Sequence, residues 1–322
     1  MRVLKRVSIE DINLNDHRFV FSYPLSYQRL YNSIKEIGLI SPVLLRGEGS
    51  PYQVIDGLQR ILACQKARVP SIEALIYPED SLDELGGFHL AIHLNIHNRS
   101  LNPIEKAIIL YKLLNQFQID PEKIIQHYMP LLELPPARKV FKNFLIFNRM
   151  EEELKLAIAK GEFAVELAWE ISKFSHSERQ VLFQLGRDLK LGINKMREII
   201  RYLEEISLRD GTPLVSLLTA EEVQRVLAQE RINLPQKGEK LRQIVKEKRY
   251  PQLSKLEKTF SEGLKKLRLP PDMKLTPPPF FEGDKLTLKA QFNSPEALKD
   301  LALTLLEAAE KETLQRLLED LL

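Results

Sequence analysis

The pattern of apolar residues changes at Leu101. Before this residue, short stretches of alternating apolar and polar residues are separated by turns and amphipathic helices, which is typical of an α+β domain. After it, apolar residues recur at the three- and four-residue spacing of helices through most of the remaining chain. With 13 glycines in 322 residues, an all-β fold is disfavoured. Four strands are predicted before Leu101, over residues 2–9, 42–46, 52–55 and 71–77.

Capping residues indicate where several helices begin. Ser26 precedes a stretch with apolar residues at helical spacing that Gly38 ends. Ser81 and Glu84 form the Ser-x-x-Glu pattern of a capping box. Asn102 and Asp120 are each followed by proline, which is favoured at the first helical position. We therefore predict a helix after each of these four residues.

The chain is long enough for two or three domains, and its patterns divide it into four segments. The prolines of residues 269–285 predict a linker, which is followed by a strand over residues 285–292 and a helix from Asn293 to Leu322. Because a strand and one amphipathic helix bury little surface alone, we expect this tail to dock or dimerise. The predicted segments are an α+β domain over 1–100, a helical domain over 101–205, a basic helical linker region over 206–275, and a strand–helix element over 276–322.

Composition excludes several classes of protein. Cys64 is the only cysteine, so a disulfide framework and a thiolate zinc cluster are excluded. The sequence has neither a signal peptide nor an apolar run of the roughly twenty residues that span a membrane, so we expect a cytoplasmic protein without a membrane partner. Residues 237–268 are locally basic, as in a segment that binds a polyanion or in a solvated helix face, and the sequence leaves both readings open.

Three histidines, His89, His93 and His97, recur every four residues, a spacing at which histidines on a helix can chelate zinc. The sequence has no His-Glu-x-x-His pattern, and Leu90 and Leu94 stand where a catalytic carboxylate would be expected. We therefore interpret the histidines as flanking positions of an amphipathic helix and predict no metal site there.

The stretch YQVIDGLQRILA, residues 52–63, passes from a strand into a helix through Asp56 and Gly57. Such a junction directs free backbone N–H groups and the positive end of the helix dipole at one point, which favours a phosphate group. Arg60, one turn into the helix, can bind a phosphate in a bidentate manner. Since Asp-Gly is also a common turn, this stretch alone leaves both interpretations open.

Three stretches together resemble the N-terminal domain of the ParB/Spo0J partition-protein family. They are LSYQRLYNSIKEIGLISPVLLR, YQVIDGLQRILACQKARVPSIEALIY and HLNIHNRSLNPIEKA, in the order and spacing of that family. The resemblance covers residues 1–115 well and continues more loosely to residue 205. It implies an α+β ParB/sulfiredoxin-like N-terminal domain, a mainly α helix-turn-helix region and a small C-terminal β/α element.

The resemblance also implies what the protein binds. Many family members bind CTP with Mg²⁺ and use it to switch a DNA clamp. By position, Gly57 and Arg60 are expected to contact phosphates, and Asn95 and Arg99 to lie beside the metal-bound triphosphate. The implied partners are double-stranded DNA, a second copy of the chain and a ParA-type ATPase. The implied location is the cytoplasm, in association with the nucleoid or a plasmid.

The chain departs from the family's pocket at four places. The Glu-Asn pair is Leu94-Asn95, which removes a carboxylate expected to hold magnesium, and the following arginine is displaced by one residue to Arg99. The Gln-Pro that helps to read cytosine is Ser41-Pro42, and the Gly-Glu-Arg-Arg box is reduced to Gly57 and Arg60. Fewer charged ligands weaken triphosphate binding. We therefore expect a degenerate CTP-type pocket with weak or absent CTP hydrolysis.

Two helices predicted after Asp120 resemble a helix-turn-helix. Residues 120–129 are followed by a second helix that starts at Pro136, with Val140, Phe141, Phe144 and Phe147 as its core face. Outside that face, side chains suited to phosphate contacts and base reading are Arg138, Lys139, Lys142, Asn143 and Arg149.

An enzyme is the alternative to a DNA-binding protein. The N-terminal pocket could serve a nucleotide-dependent phosphotransferase or nuclease, with Asp56 as a base or metal ligand. The sequence contains no Walker loop and no nucleophile elbow, and we predict that Cys64, inside a helix, is buried, which disfavours a sulfiredoxin role. No catalytic residue is assigned.

Overall fold

The computed structural model describes residues 2–283 and 285–321 of the chain. Two compact units are present, Met1–Ser175 and His176–Leu322. The finer division predicted at residues 100, 205 and 275 stays a prediction; residue 205 lies within a long helix, Ile193–Asp210. Within the described residues, no helix combines the length and the apolar character needed to cross a bilayer.

The first unit begins with a mixed five-stranded sheet. Its strands are β1 (Val3–Ser8), β2 (Ile12–Asn13), β3 (Val43–Arg46), β4 (Tyr52–Asp56) and β5 (Ser71–Tyr77). Their order across the sheet is β1-β5-β3-β4-β2, with parallel pairs β3–β5 and β2–β4 and antiparallel pairs β1–β5 and β3–β4. The four predicted strands are confirmed, whereas β2 has two residues and is too short to produce a pattern.

Helices α1 (Gln28–Ile37) and α2 (Leu58–Lys66) pack on this sheet. Val43 and Leu45 are fully buried on β3, and Ile61 and Cys64 are fully buried on α2. The burial of Cys64 is as predicted, and the α+β fold class is confirmed. Because strand β4 runs directly into α2, the core that holds these two elements also fixes the turn between them.

Seven helices follow the sheet strands in the first unit. Residues 121–131 form one helical stretch, in which a π-helical turn over Ile124–Tyr128 joins two short α-helices. The bounds are α3 (Glu84–Asn98), α4 (Pro103–Asn115), α5 (Pro121–Lys123), α6 (Met129–Leu131), α7 (Arg138–Phe147), α8 (Glu152–Ala159) and α9 (Val165–Ile171).

The predicted caps were right at two helix starts and wrong at two. Asn102 accepts hydrogen bonds from the first turn of α4 in a capping box with Glu105, and Asp120 caps α5. Helix α1 starts at Gln28 after Tyr27, which makes no side-chain cap, so Ser26 is not its N-cap. Ser81 closes a 3₁₀ turn, and α3 is capped two residues later, by Asp83.

The second unit is mainly helical. Ion pairs hold the basic segment in place: Arg242 Nε lies 2.6 Å from Glu198 Oε2 in a neighbouring helix, and Lys246 Nζ lies 2.8 Å from Glu257 Oε1 within the segment itself. These pairs give several of its cations a structural role. The helices are α10 (His176–Asp188), α11 (Ile193–Asp210), α12 (Leu214–Thr219), α13 (Glu221–Leu227), α14 (Leu234–Arg249), α15 (Pro251–Leu267), α16 (Pro295–Ala309) and α17 (Glu312–Leu321).

The proline-rich stretch predicted as a linker contains a strand. β6 (Met273–Thr276) pairs antiparallel with β7 (Thr287–Ala290), and three of the five prolines, Pro277 to Pro279, lie in the connection between them. The last helix, predicted as continuous, is divided into α16 and α17, and this break allows α17 to pack against α15. Leu322, the predicted helix end, lies outside the described residues.

Candidate functional site

The turn between β4 and α2 depends on Gly57. Its φ is +100°, in the left-handed region that favours glycine. A Cβ added there would lie 2.8 Å from Val43 Cγ1 and 2.9 Å from Arg60 Nη2. No side chain caps the start of α2, so its first backbone N–H groups remain for another partner.

The Arg60 guanidinium lies across this glycine and is already hydrogen-bonded. Its Nη1 donates to the carbonyl oxygens of Ser41 and Pro42, each at 2.9 Å, and its Nη2 donates to Asp56 Oδ2 at 2.8 Å. The Arg60 side chain therefore ties the approach to β3 to the end of β4. Only part of its donor capacity remains for a phosphate.

The end of α3 brings two more predicted residues to the same place. Asn95 Nδ2 donates to Asp56 Oδ1 at 3.1 Å and to Ala91 O at 2.9 Å. Arg99 Nε donates to Asn95 Oδ1 at 3.1 Å. Because Arg99 is the C-cap with extended backbone, its side chain leaves the helix direction and reaches the cavity despite its displacement in sequence.

A buried glutamate that sequence reasoning missed holds the far wall. Glu105 is 2% exposed and accepts hydrogen bonds from Tyr23 N at 3.2 Å, Asn102 N at 3.0 Å and Arg99 Nη1 at 2.7 Å. Asn102 Nδ2 in turn donates to Tyr23 O at 2.6 Å. The capping-box spacing of Asn102 and Glu105 was visible in the sequence, but no sequence signal connected it with Tyr23.

All four residues predicted to bind nucleotide line one cavity of about 460 Å³. Its ionised lining groups are two guanidiniums, of Arg60 and Arg99, and two carboxylates, of Asp56 and Glu105, and each guanidinium is paired with one carboxylate. The cavity offers backbone donors for a phosphate but no surplus of positive charge.

The three histidines of α3 lie in different surroundings. His89 Nε2 lies 2.5 Å from Tyr128 Oη, and burial lowers the pKa of His89, which favours its neutral form. His93 and His97 are exposed, and their ring centroids lie 6.3 Å apart. In residues 2–283 and 285–321, no group of three or more metal-binding side chains of the His, Cys, Asp and Glu types is present.

Two helical stretches lie in the part of the chain where the predicted pair was expected, while their helix-turn-helix arrangement stays a prediction. The first runs through residues 121–131, and α7 follows after a connection of residues 132–137. Helix α7 begins at Arg138 rather than at Pro136, since Ala137 has extended backbone and serves as the N-cap. Of the predicted core face, Phe141, Phe144 and Phe147 are buried and Val140 is half-buried.

An aromatic cluster fixes α7 from behind. The Trp169 ring on α9 lies 6.2 Å from that of Phe147 in a stacked arrangement and 5.8 Å from that of Phe144 edge-on. Asn148 Nδ2 donates to Ala107 O at 3.1 Å and anchors the end of α7 to α4. Trp169 therefore packs against the core face of α7, and α7 has a fixed orientation.

The opposite side of α7 carries exposed charge. We name it the α7 surface, and Arg138 at its start pairs with Glu122 at 2.6 Å, although both side chains remain largely exposed. Ala137 provides no side-chain cap, so the first N–H groups of α7 are free to bind an anion. Four of the five predicted DNA-binding residues on this surface are exposed and Asn143 is half-buried; the five are Arg138, Lys139, Lys142, Asn143 and Arg149.

Comparison with known proteins identifies one family model and several relatives. The family model of the ParB N-terminal domain matches residues 2–85. The chain is 26% identical over 208 residues to the chromosome-partitioning protein ParB of Myxococcus xanthus, covering 62% of this chain and 67% of that protein. It is 32% identical over 134 residues to a probable chromosome-partitioning protein ParB of Coxiella burnetii, covering 42% and 43% of the two chains.

Solved structures of similar sequence include two of C-terminally truncated ParB from Caulobacter crescentus. The one complexed with CTP-γ-S is 20% identical and covers 55% of this chain and 97% of that chain, with a TM-score of 0.27. The one complexed to the centromeric parS site is also 20% identical and covers 60% and 95%, with a TM-score of 0.30. TM-scores this low do not establish a common arrangement of the whole chains, so the fold rests on the elements described above.

Proposed function

Because residues 2–85 are a ParB N-terminal domain and place the chain in the ParB/Spo0J family, we propose that the protein is a sequence-specific DNA-binding protein. It acts in plasmid or chromosome partition or in a related regulatory process, in the cytoplasm and on the nucleoid or a plasmid. The observation that carries the proposal is the α7 surface, in which exposed cations surround Asn143 on a helix fixed by aromatic packing.

The chemistry of this surface suits DNA. Lys139, Lys142 and Arg149 can neutralise phosphates, and the uncapped start of α7 can bind another phosphate through its N–H groups. Asn143 is the one uncharged polar side chain of the five, and asparagine can pair with adenine through two hydrogen bonds. Cations would thus supply affinity and Asn143 part of the specificity.

The test is a pull-down of sheared host genomic DNA with the full-length protein near physiological salt, followed by sequencing. We expect a few sharply enriched fragments with the unmutated protein and with Lys35→Ala/Lys66→Ala, whose lysines are exposed elsewhere in the first unit. We expect their loss with Arg138→Ala/Lys142→Ala. If all DNA fragments are recovered weakly and equally, and are lost at modest salt, the protein binds only the charge of the DNA backbone, which would contradict the proposal.

The cavity at Gly57 is proposed as the nucleotide site, binding CTP with Mg²⁺ and hydrolysing it weakly or not at all. Support comes from Gly57, Arg60, Asn95 and Arg99 lining one cavity and from the free N–H groups at the start of α2. The paired charges of the cavity favour weak binding. A ParA-type ATPase as partner stays a prediction.

A homodimer formed through the C-terminal element is part of the proposal. Helix α16 exposes four leucines, of which Leu306 is 63% exposed, on a helix of only fifteen residues. Such a surface is typical of an interface. In sedimentation velocity we expect dimers of the unmutated protein and monomers of Leu298→Glu/Leu306→Glu; dimers of both would refute this interface.

A nucleotide-dependent phosphotransferase or nuclease is the second candidate. The observation that favours it is Asp56, whose carboxylate faces Arg60 inside the cavity. Phosphate release that Asp56→Ala abolishes and Arg138→Ala leaves intact would favour the enzyme. The phosphotransferase fails if the unmutated protein releases no phosphate from any nucleotide.

A further inference from the structure

The α7 surface has an apolar side chain at its centre. Four residues at positions i, i+3, i+4 and i+7 share the face of α7 opposite its buried phenylalanines: Lys139, Lys142, Asn143 and Ile146. Ile146 is 36% exposed and lies one turn from both Lys142 and Asn143. A single exposed isoleucine is common on protein surfaces, but this one is surrounded by the groups that the proposed function assigns to DNA.

The polar members of this face have no partner within the protein. In residues 2–283 and 285–321, the side chains of Lys139, Lys142 and Asn143 make no hydrogen bond and no ion pair. An unbonded asparagine amide keeps both its donor and its acceptor. Asn143 can therefore bind the edge of a base without giving up a contact in the protein.

The chemistry of this face determines which bases it can read. An asparagine amide pairs with the N6 amino group and N7 of adenine in the major groove. Ile146 has neither a donor nor an acceptor in its side chain, and the apolar group that bases present in this groove is the C5-methyl group of thymine. Since an A·T pair carries the adenine edge and the thymine methyl in the same groove, both side chains favour A·T pairs.

Asn143 and Ile146 have the spacing of neighbouring base pairs. Three residues of an α-helix rise about 4.5 Å along its axis, and successive base pairs of DNA rise about 3.4 Å. With α7 in the major groove, the two side chains therefore reach bases no more than about two pairs apart.

We infer that Ile146 contacts the C5-methyl group of a thymine in the major groove, within two base pairs of an adenine that Asn143 reads. The inference rests on the proposed DNA binding. It makes Ile146 a specificity-determining residue, and it predicts that the DNA site of this protein contains A·T pairs at this spacing.

The test measures the affinity of the full-length protein for a duplex that carries the most enriched sequence of the genomic pull-down. In a set of such duplexes, each thymine is replaced in turn by deoxyuridine, which keeps the base pair and removes only the methyl group. For the unmutated protein, one of these replacements should lower the affinity about three- to fivefold, the effect of one buried methyl group. For Ile146→Ala, the same replacement should change the affinity less than about 1.5-fold, because the partner of the methyl group is absent.

Two variants show whether the effect belongs to the Ile146 side chain. Ile37→Ala removes another exposed isoleucine from a helix of the first unit, and it should retain the full effect of deoxyuridine. Ile146→Val keeps a branched apolar side chain and should retain most of the effect. Thermal melting checks that each variant is folded.

A second base replacement locates the adenine that Asn143 reads. 7-Deazaadenine lacks the N7 acceptor, so at one position it should lower the affinity of the unmutated protein about two- to tenfold, the effect of one hydrogen bond. This effect should be absent in Asn143→Ala. We expect the sensitive adenine and the sensitive thymine to lie within two base pairs of each other, and a larger separation would overturn the inference.

The outcomes distinguish this inference from the proposal on which it rests. If the protein binds the enriched sequence specifically and no deoxyuridine replacement lowers the affinity, Ile146 reads no thymine, while specific DNA binding stands. If a replacement lowers the affinity equally for the unmutated protein and Ile146→Ala, the methyl group has another partner and the inference is overturned. If no sequence is enriched, the proposed function fails and the inference falls with it.

Discussion

The cavity beside Gly57 and the α7 surface are built in opposite ways from similar residue types. In the cavity, arginines are paired with carboxylates and partly buried, and their hydrogen bonds join β3, β4, α3 and α4. On α7, the cations are exposed, although Arg138 pairs with Glu122, and the helix is fixed by an aromatic cluster on its other side. The cavity therefore depends on its polar groups for its shape, whereas α7 depends on apolar packing for its position and keeps its cations for a partner.

This difference separates the two kinds of mutational effect. Removal of a charge from the cavity is expected to cost stability, because its partner stays buried without compensation. Removal of a charge from α7 is expected to leave stability unchanged, because an exposed cation contributes little to folding. Removal of an aromatic ring behind α7, by contrast, is expected to cost stability.

Phe147→Ala should have the largest effect on stability. Phe147 is fully buried against Phe144 and Trp169, and such a truncation costs about 3–5 kcal/mol. Urea unfolding followed by the fluorescence of Trp169, the chain's single tryptophan, measures the loss. The neighbour Ile146 is on the exposed side, so Ile146→Ala should cost less than about 1 kcal/mol. Equal losses for the two would show that α7 is not held by this cluster.

Glu105→Ala should have the second largest effect and lower the free energy of unfolding by about 2–3 kcal/mol. This is less than the cost of breaking a fully buried ion pair, because the Arg99 side chain is 38% exposed. The loss arises since two backbone N–H groups and the Arg99 guanidinium lose their acceptor. The same urea experiment measures it, with Glu48→Ala, which removes an exposed carboxylate from the turn between β3 and β4, as the control. A loss no greater than that of the control would mean that the polar network does not hold the cavity.

Lys139→Ala/Lys142→Ala should leave unfolding unchanged and weaken DNA binding. Each lost phosphate contact reduces the slope of log affinity against log salt by about one, so the pair should reduce it by about two. Binding to a fluorescent duplex at several salt concentrations measures the slope, with Lys35→Ala/Lys66→Ala as the matched control. An unchanged slope would show that neither lysine contacts a DNA phosphate.

Lys112, on α4, should make a smaller contribution to stability, and this contribution should depend on pH. Burial lowers its pKa to about 8, from an ordinary value of 10.5, while its Nζ donates to the carbonyl oxygens of His17 and Arg18. Between these two pH values the unfolded chain binds a proton that the folded chain does not, so this contribution to stability rises with pH. Below pH 8 both states are protonated and the contribution is constant.

Thermal melting from pH 7 to 10 tests this effect as the difference between the unmutated protein and Lys112→Met. The melting temperature of the unmutated protein should rise relative to that of the variant above pH 8. Parallel curves would mean that Lys112 titrates in the folded protein as it does in the unfolded chain.

Local patterns predicted most of the fold, whereas contacts between distant residues lay beyond them. Alternation gave four strands of the sheet, and Asn102 and Asp120 marked their helices because a cap acts within three residues. The ion pair of Arg99 with Glu105 and the contact of Glu105 with Tyr23 needed the tertiary structure. The strand at Met273 was missed because prolines on both sides of it suggested a linker, although a proline argues against a strand only at its own position.

The predicted site residues illustrate the same limit. The strand–turn–helix pattern located Gly57 and Arg60, but it did not reveal that most of the contacts of Arg60 are with the protein itself. Similarly, helical spacing separated the core of α7 from its cations, but the pairing of Arg138 with Glu122 depends on the fold of the preceding helix.

The central claim, that α7 reads DNA sequence, is tested most directly by a ratio of affinities. The measurement compares binding to an enriched genomic fragment and to a shuffled duplex of equal length and composition, for the unmutated protein and Asn143→Ala. We predict a large ratio that falls about 5–100-fold in the variant, the cost of one base contact, while binding to the shuffled duplex is unchanged. A ratio near one for the unmutated protein, or an equal ratio for both proteins, would contradict the account.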